Sequence, residues 1–164
     1  MGSGLRQIDK VKFVEGLAPQ TPSSSTPDYV SLKHYKHLTI VIQAKNATTV
    51  TGSAITLKQA TDVAATSEKA LSFTKMWADT DTGAGDTLTE TAVTSDTFTT
   101  GATNSKNYLY VIEVDASDLD ADNGFDCVRL GTGNATASVL NVLYILSEPS
   151  YAGDVASLPS AIID

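Results

Sequence analysis

Leu38–Thr61 reads LTIVIQAKNATTVTGSAITLKQAT, and its pattern decides the fold class. Leu38, Ile40, Ile42 and Ala44 alternate with Thr39, Val41 and Gln43, and later Ile55, Leu57 and Gln59 alternate with Thr56 and Lys58. Alternation with period two places one set of side chains on one sheet face, so both arms read as strands. Between them Asn46-Ala-Thr-Thr and Thr51-Gly-Ser supply turn chemistry, with Gly52 free to take positive φ. The stretch is a β-hairpin or two neighbouring strands of a sandwich, and none of its residues suggests catalysis.

Working outward, the same texture continues. Lys10–Val14 reads as a short strand, and Tyr29–Leu32 as a strand leading into the opening stretch. Leu71–Trp77 is another, with Trp77 half buried at its end. Leu88–Val93 and Asp96–Thr100 are polar, Thr-rich strands expected near a sheet edge. Tyr108–Val114 (YLYVIEV) is apolar on both faces and should be a central strand. Cys127–Leu130 is followed by the tight turn Gly131–Asn134. Ser138–Leu146 (SVLNVLYIL) is the most hydrophobic segment, expected to be covered on both sides. Asp62–Ala70 is the best helical candidate, and its Ser67–Ala70 part fits a turn equally well.

Eight to ten short strands with regular turn signals indicate an all-β protein: an antiparallel β-sandwich, jelly-roll-like, with at most one or two short helical turns. At 164 residues the chain fits one domain with a core of its own. The expected organisation is an extended N-terminal arm with a short strand over 1–28, a sandwich over 29–147 and an irregular tail over 148–164. Gly16–Asp28 holds three prolines and reads as an extended connection over the surface or toward a neighbouring subunit.

Charge narrows the partners. The net charge is −8 and only 18% of residues are charged, which argues against nucleic acid as the main partner. Through Met76 there are nine Lys/Arg against five Asp/Glu, and from Trp77 onward two against fourteen. Such a split fits opposed charged faces that pack copies together or dock on another protein, or two faces that are merely solvated. No run approaches the roughly 20 apolar residues of a membrane span. The start MGSGLRQIDKVKF has no apolar signal-peptide core, and Arg6 stands where a myristoylation site wants Ser or Thr.

Sites of chemistry are hard to find. The single Cys127 reads as a buried small hydrophobe. His34 and His37 open a strand without a third metal ligand. Asp79–Gly85 and Asp115–Asp126 invite a calcium reading. In the second, however, Asn123 takes the place of the required glycine and Arg129 that of the final acid. No serine lies in a G-x-S-x-G elbow, and GTGNAT lacks a glycine for a dinucleotide loop. The expectation is no enzyme, no cofactor and no metal. Possible partner contacts are Lys10, Lys12, Tyr29, Tyr35, Trp77, Tyr151, Ile162 and Ile163. The two isoleucines lie in a tail that either meets another chain or packs on its own domain.

The order of segments SLKHYKHLTIVIQAKNATTVTGSAITLKQATDVAATSEKALSFTKMW, YLYVIEVDASDLDADNGFDCVRL and LSEPSYAGDVASLPSAI resembles the capsid decoration, or cement, proteins of tailed bacteriophages. The resemblance runs from about Asp9 to Ile162 and rests on segment order and texture. It implies a β-sandwich that forms a homo-oligomer, often a trimer, on the exterior of the virion, assembled in the host cytoplasm and clamping neighbouring copies of the major capsid protein. It carries no catalytic residues. A head-fibre, tail or host-glycan-binding module is the alternative, and it asks for exposed aromatics among Tyr29, Tyr35, Trp77 and Tyr151.

Overall fold

The computed structural model describes residues 6–23, 27–151 and 154–163. The first five residues of the expected arm, and positions 24–26, 152–153 and 164, lie outside them. In chain order the strands are β1 (Val11–Gln20), β2 (Val30–Ser31), β3 (Tyr35–Asn46), β4 (Ala54–Ala60), β5 (Lys69–Ala70) and β6 (Lys75–Asp79). They continue with β7 (Thr89–Ala92), β8 (Thr97–Thr99), β9 (Asn107–Asp115), β10 (Cys127–Thr132) and β11 (Ser138–Pro149). Helical structure among the described residues is confined to three-residue 3-10 turns.

The strands form an antiparallel β-sandwich. One sheet has the order β1-β11-β3-β9-β6-β7, the other β2-β10-β4-β5 with β8 also paired to β4. Strands β3 and β4 therefore face each other across the core, and Leu38–Thr61 is a crossing between sheets, not a hairpin. Its alternation sends Leu38, Ile40 and Ile42 inward from one sheet and Ile55 and Leu57 inward from the other, all fully buried. Tyr144, Leu140, Leu146, Ile112, Val128 and Leu130 complete the centre of that core.

Four expectations need correction. β1 is ten residues long and pairs with β11 from Val11↔Ser147 to Gln20↔Leu140, so Gly16–Gln20 belong to a strand. It tolerates Pro19 because it is the sheet's edge, where a missing donor leaves no ladder bond unmade. Gly16 sits at a register shift, where a Cβ would stand 2.6 Å from the Tyr144 ring. Second, Asp62–Ala70 is not a helix. It is a turn closed by the Thr66 N–H to the Asp62 carboxylate at 2.9 Å, ending in β5. Third, Leu71 and Phe73 are buried but irregular, and the strand starts only at Lys75. Fourth, β11 is not covered on both sides. Val139 is exposed and Leu143 and Ile145 are half-buried on the outer face. The Thr-rich β7 is a fully exposed edge strand.

Candidate interaction surfaces

The tyrosines work mainly inside the molecule. Tyr29 and Tyr35 are each only 2% exposed, which removes both from the exposed aromatics expected to meet a partner. The cause is the hydroxyl: a buried phenol is favourable when its O–H finds an acceptor. Tyr35 donates to the Pro159 carbonyl at 2.6 Å, and Tyr29 to the Glu68 carboxylate at 2.7 Å. Tyr110 accepts the Gly101 N–H at 2.7 Å, and burial outweighs that bond, pushing its phenol up to about 12. Tyr144 accepts the Leu130 N–H at 3.0 Å across the core. Strand β2 reaches only as far as Val128, so this hydroxyl takes a β10 donor that β2 is too short to pair.

Tyr29 also anchors the outer side of the five-stranded sheet. The Arg129 guanidinium lies 4.7 Å over its ring and pairs with Glu68, which pairs in turn with Lys58. The Lys58 bond, against the opposing effect of burial, holds the Glu68 carboxyl below its ordinary range, with help from Tyr29 and Arg129. This cluster ties the turn after β4 to β10, while the buried Arg129 Nε keeps no hydrogen-bond partner among the described residues.

The acidic loops are spent on partners within the chain. Asp79 accepts the Asp81 N–H at 2.9 Å, and Asp81 pairs with Lys106. Asp120 pairs with Lys69 and accepts from Asn123 Nδ2 at 2.8 Å. Among the described residues no three or more His, Cys, Asp or Glu side chains are grouped to hold a metal ion. His34 and His37 diverge. His34 faces the Tyr151 ring at 6.4 Å, while His37 reaches Asp115 at 2.7 Å through Nδ1 and Glu113 through Nε2. Burial pulls the His37 imidazole down, but the two carboxylates outweigh it and raise it above its ordinary value. Cys127 is buried, its thiol 3.1 Å from the Asp126 carboxylate.

One surface collects what remains. Strand β1 begins where β11 ends, β3 begins opposite Pro149, and the turn from β2 lies alongside. Both terminal segments are held at this end of the sandwich. The Ala161 carbonyl accepts the Ser31 N–H at 2.7 Å, the His34 carbonyl that of Ser150 at 2.8 Å, and Pro159 is held by Tyr35. Arg6 bonds Asp9 and holds its carboxyl below the ordinary range, aided by the Val155 N–H. Around these anchors the apolar side chains of Ile8, Tyr151, Val155, Ile162 and Ile163 face solvent, Tyr151 and Ile163 at 70% exposure.

The same end carries lysines together with the exposed acids Glu148 and Asp154. Among the described residues Lys10, Lys12, Lys33, Lys36 and Lys45 make no ion pair, and all but Lys45 stand here, on β1 and around the start of β3. The charge split of the sequence thus becomes a lysine-rich terminal surface beside the acidic connection from β9 to β10. Of the candidate contacts, Lys10, Lys12, Tyr151, Ile162 and Ile163 come together at this end. Trp77 lies elsewhere, half-buried on the outer face of the six-stranded sheet. Sequence reasoning left out Ile8, Val155, Lys33 and Lys36, which only the pairing of the two chain ends brings alongside.

No family model matches the chain, and no curated protein matches it. Among solved structures it is similar to the crystal structure of the SPBc2 prophage-derived protein YomS, at 17% identity and a TM-score of 0.48, covering 84% of this chain and 93% of that one.

Proposed function

We propose that this chain is a structural virion protein of a tailed phage. It binds the outer surface of the capsid and stabilises contacts between capsomers as a homo-oligomeric decoration or cement protein. The observation that carries the reading is the segment-by-segment resemblance from about Asp9 to Ile162. The terminal surface supports it. Exposed Ile162, Ile163 and Tyr151, at the end of the sandwich that also carries lysines without an ion pair among the described residues, combine apolar area for affinity with charge for orientation.

The mechanism is mass action. A protein that binds the assembled shell and not its dissociated parts deepens the free-energy well of the shell, by about 2.7 kcal/mol per site at a hundred times its Kd. That work needs no catalytic group, cofactor or metal, and we read the chain as non-enzymatic. The glycan-binding alternative asks for a platform of exposed aromatics, and burial of Tyr29 and Tyr35 takes away two of its four members. Gold labelling of the protein in virions, viewed by electron microscopy, tests the proposal: label over the head surface is expected, and label confined to the tail or fibres would overturn it.

A further inference from the structure

The outer face of the six-stranded sheet holds a cleft of about 550 Å³ at the end away from the terminal surface. Its floor is three central strands. The register sets Asn141, Gln43 and Leu109 in one row across β11, β3 and β9, and Val139, Lys45 and Asn107 in the next. Two walls stand beside this floor. On one side β1 slips register between Leu17 and Gln20 and brings Pro19 to the rim. On the other, Thr82 is held by its N–H to the Asn107 carbonyl at 3.1 Å, and its neighbour Asp81 by Lys106. Asn141 is the informative residue. Its outward neighbours along β11 are Val139, Leu143 and Ile145, and asparagine is disfavoured in strands. Among the described residues the side chains of Gln43, Lys45, Asn107 and Asn141 make no hydrogen bond or ion pair. We infer that this cleft binds a neutral saccharide.

Chemistry selects the ligand. A carboxamide offers two donors and an acceptor, so three of them with the Thr82 hydroxyl match sugar hydroxyls, which both donate and accept. Pro19, Val139 and Leu109 suit the C–H face of a sugar ring. Apolar walls with a few convergent polar groups, at this volume, are the usual anatomy of a small-ligand site. Charge argues against an anion. Lys45 is the single charged residue of the lining, and Asp79, in register with Leu109, is buried against the Asp81 N–H. The rest of the face is acidic through Glu15, Glu90, Glu113 and Asp115, and the chain carries −8. An extended peptide would need unpaired backbone groups at a sheet edge, whereas β11, β3 and β9 have neighbours on both sides.

Gln43 lies eight residues along β3 from Tyr35, roughly 26 Å at the rise of a strand. A molecule held on a shell by its terminal surface therefore turns the cleft outward. That orientation rests on the capsid reading; the binding itself does not. The experiment is an array of neutral mono- to tetrasaccharides, with uronate-bearing and sialylated glycans beside them, followed by titration of the best ligand. It uses the full chain as wild type, Asn141→Leu, Gln43→Met and Tyr151→Ala, with urea unfolding to confirm that each is folded. The expected result is saturable binding of a neutral saccharide, weakened at least tenfold in the Asn141 and Gln43 variants and unchanged in Tyr151→Ala. Absence of binding, binding of acidic glycans alone, or full affinity in both cleft variants would overturn the inference. Shell binding is scored separately. Asn141→Leu should bind shells like wild type, and its loss there would make the cleft a capsid contact and overturn the inference. Saccharide binding by a protein that ignores shells would uphold the cleft and sink the capsid reading.

Discussion

The hydroxyl of Tyr35, the first residue of β3, donates a 2.6 Å hydrogen bond to the carbonyl of Pro159, 124 residues further along the chain. Through this bond the core strand of the larger sheet fixes the segment that carries Ile162 and Ile163. The terminal surface is therefore a built feature of the sandwich. Tyr35→Phe keeps the ring and removes the donor. We expect a loss of about 1 kcal/mol, typical of one such bond, with faster hydrogen exchange confined to residues around 158–163. Unchanged exchange there would show that the segment is held by something else.

Tyr144→Phe removes the acceptor for the Leu130 N–H while keeping the ring in place. A buried donor without a partner costs about 1–3 kcal/mol. For a domain of this size that lowers Tm by roughly 2–4 °C per kcal/mol. Urea unfolding should show a lower midpoint with an unchanged slope, and an unaltered midpoint would contradict the cross-sheet role of this hydroxyl.

Gly16→Ala brings a methyl group to 2.6 Å from the Tyr144 ring. Alanine in a strand is ordinarily an improvement on glycine, so the sign is diagnostic: overpacking should cost roughly 1–3 kcal/mol. Combining it with Tyr144→Leu should cost less than the sum of the two single changes, because they share one contact. Additive effects in the double-mutant cycle would mean that Gly16 is retained for its backbone alone.

His37 supplies a pH dependence. Its folded value is raised above 6.5, so its contribution to stability is fully present below the unfolded value and is lost as pH rises through the folded one. The stability gap between wild type and His37→Gln should be widest below about pH 6 and shrink toward pH 8. A gap that widens on going alkaline would show that the two carboxylates do not hold the imidazolium.

Much of this architecture was legible in the sequence. Alternation in Leu38–Ala44 and Ile55–Gln59 marks the strands correctly because each has one face in the core. It does not say whether the two are hydrogen-bonded neighbours or face each other across the sandwich, since the burial pattern is the same in both cases. In β11 an apolar outer face has the same pattern as a second core face, so sequence alone does not separate the two. Pro19 hides the second half of β1, because only an edge position permits a proline there. Nothing local marks Tyr29 and Tyr35 as buried, because their acceptors, Glu68 and Pro159, are 39 and 124 residues away in sequence. The tail isoleucines were visible as exposed candidates, but their union with Ile8, Val155 and the lysines depends on pairings that no local pattern encodes.

The central claim is that the terminal surface holds the protein on an expanded capsid. Its most direct test is co-sedimentation of purified protein with expanded shells lacking it, for wild type and for the pair Ile162→Asp and Ile163→Asp. These side chains are 53% and 70% exposed, so the fold should be unaffected. The account predicts saturable binding by wild type and binding weakened at least tenfold in the double variant, which corresponds to about 1.4 kcal/mol. Wild-type protein that stays in the supernatant, or a double variant that binds as tightly as wild type, would contradict it.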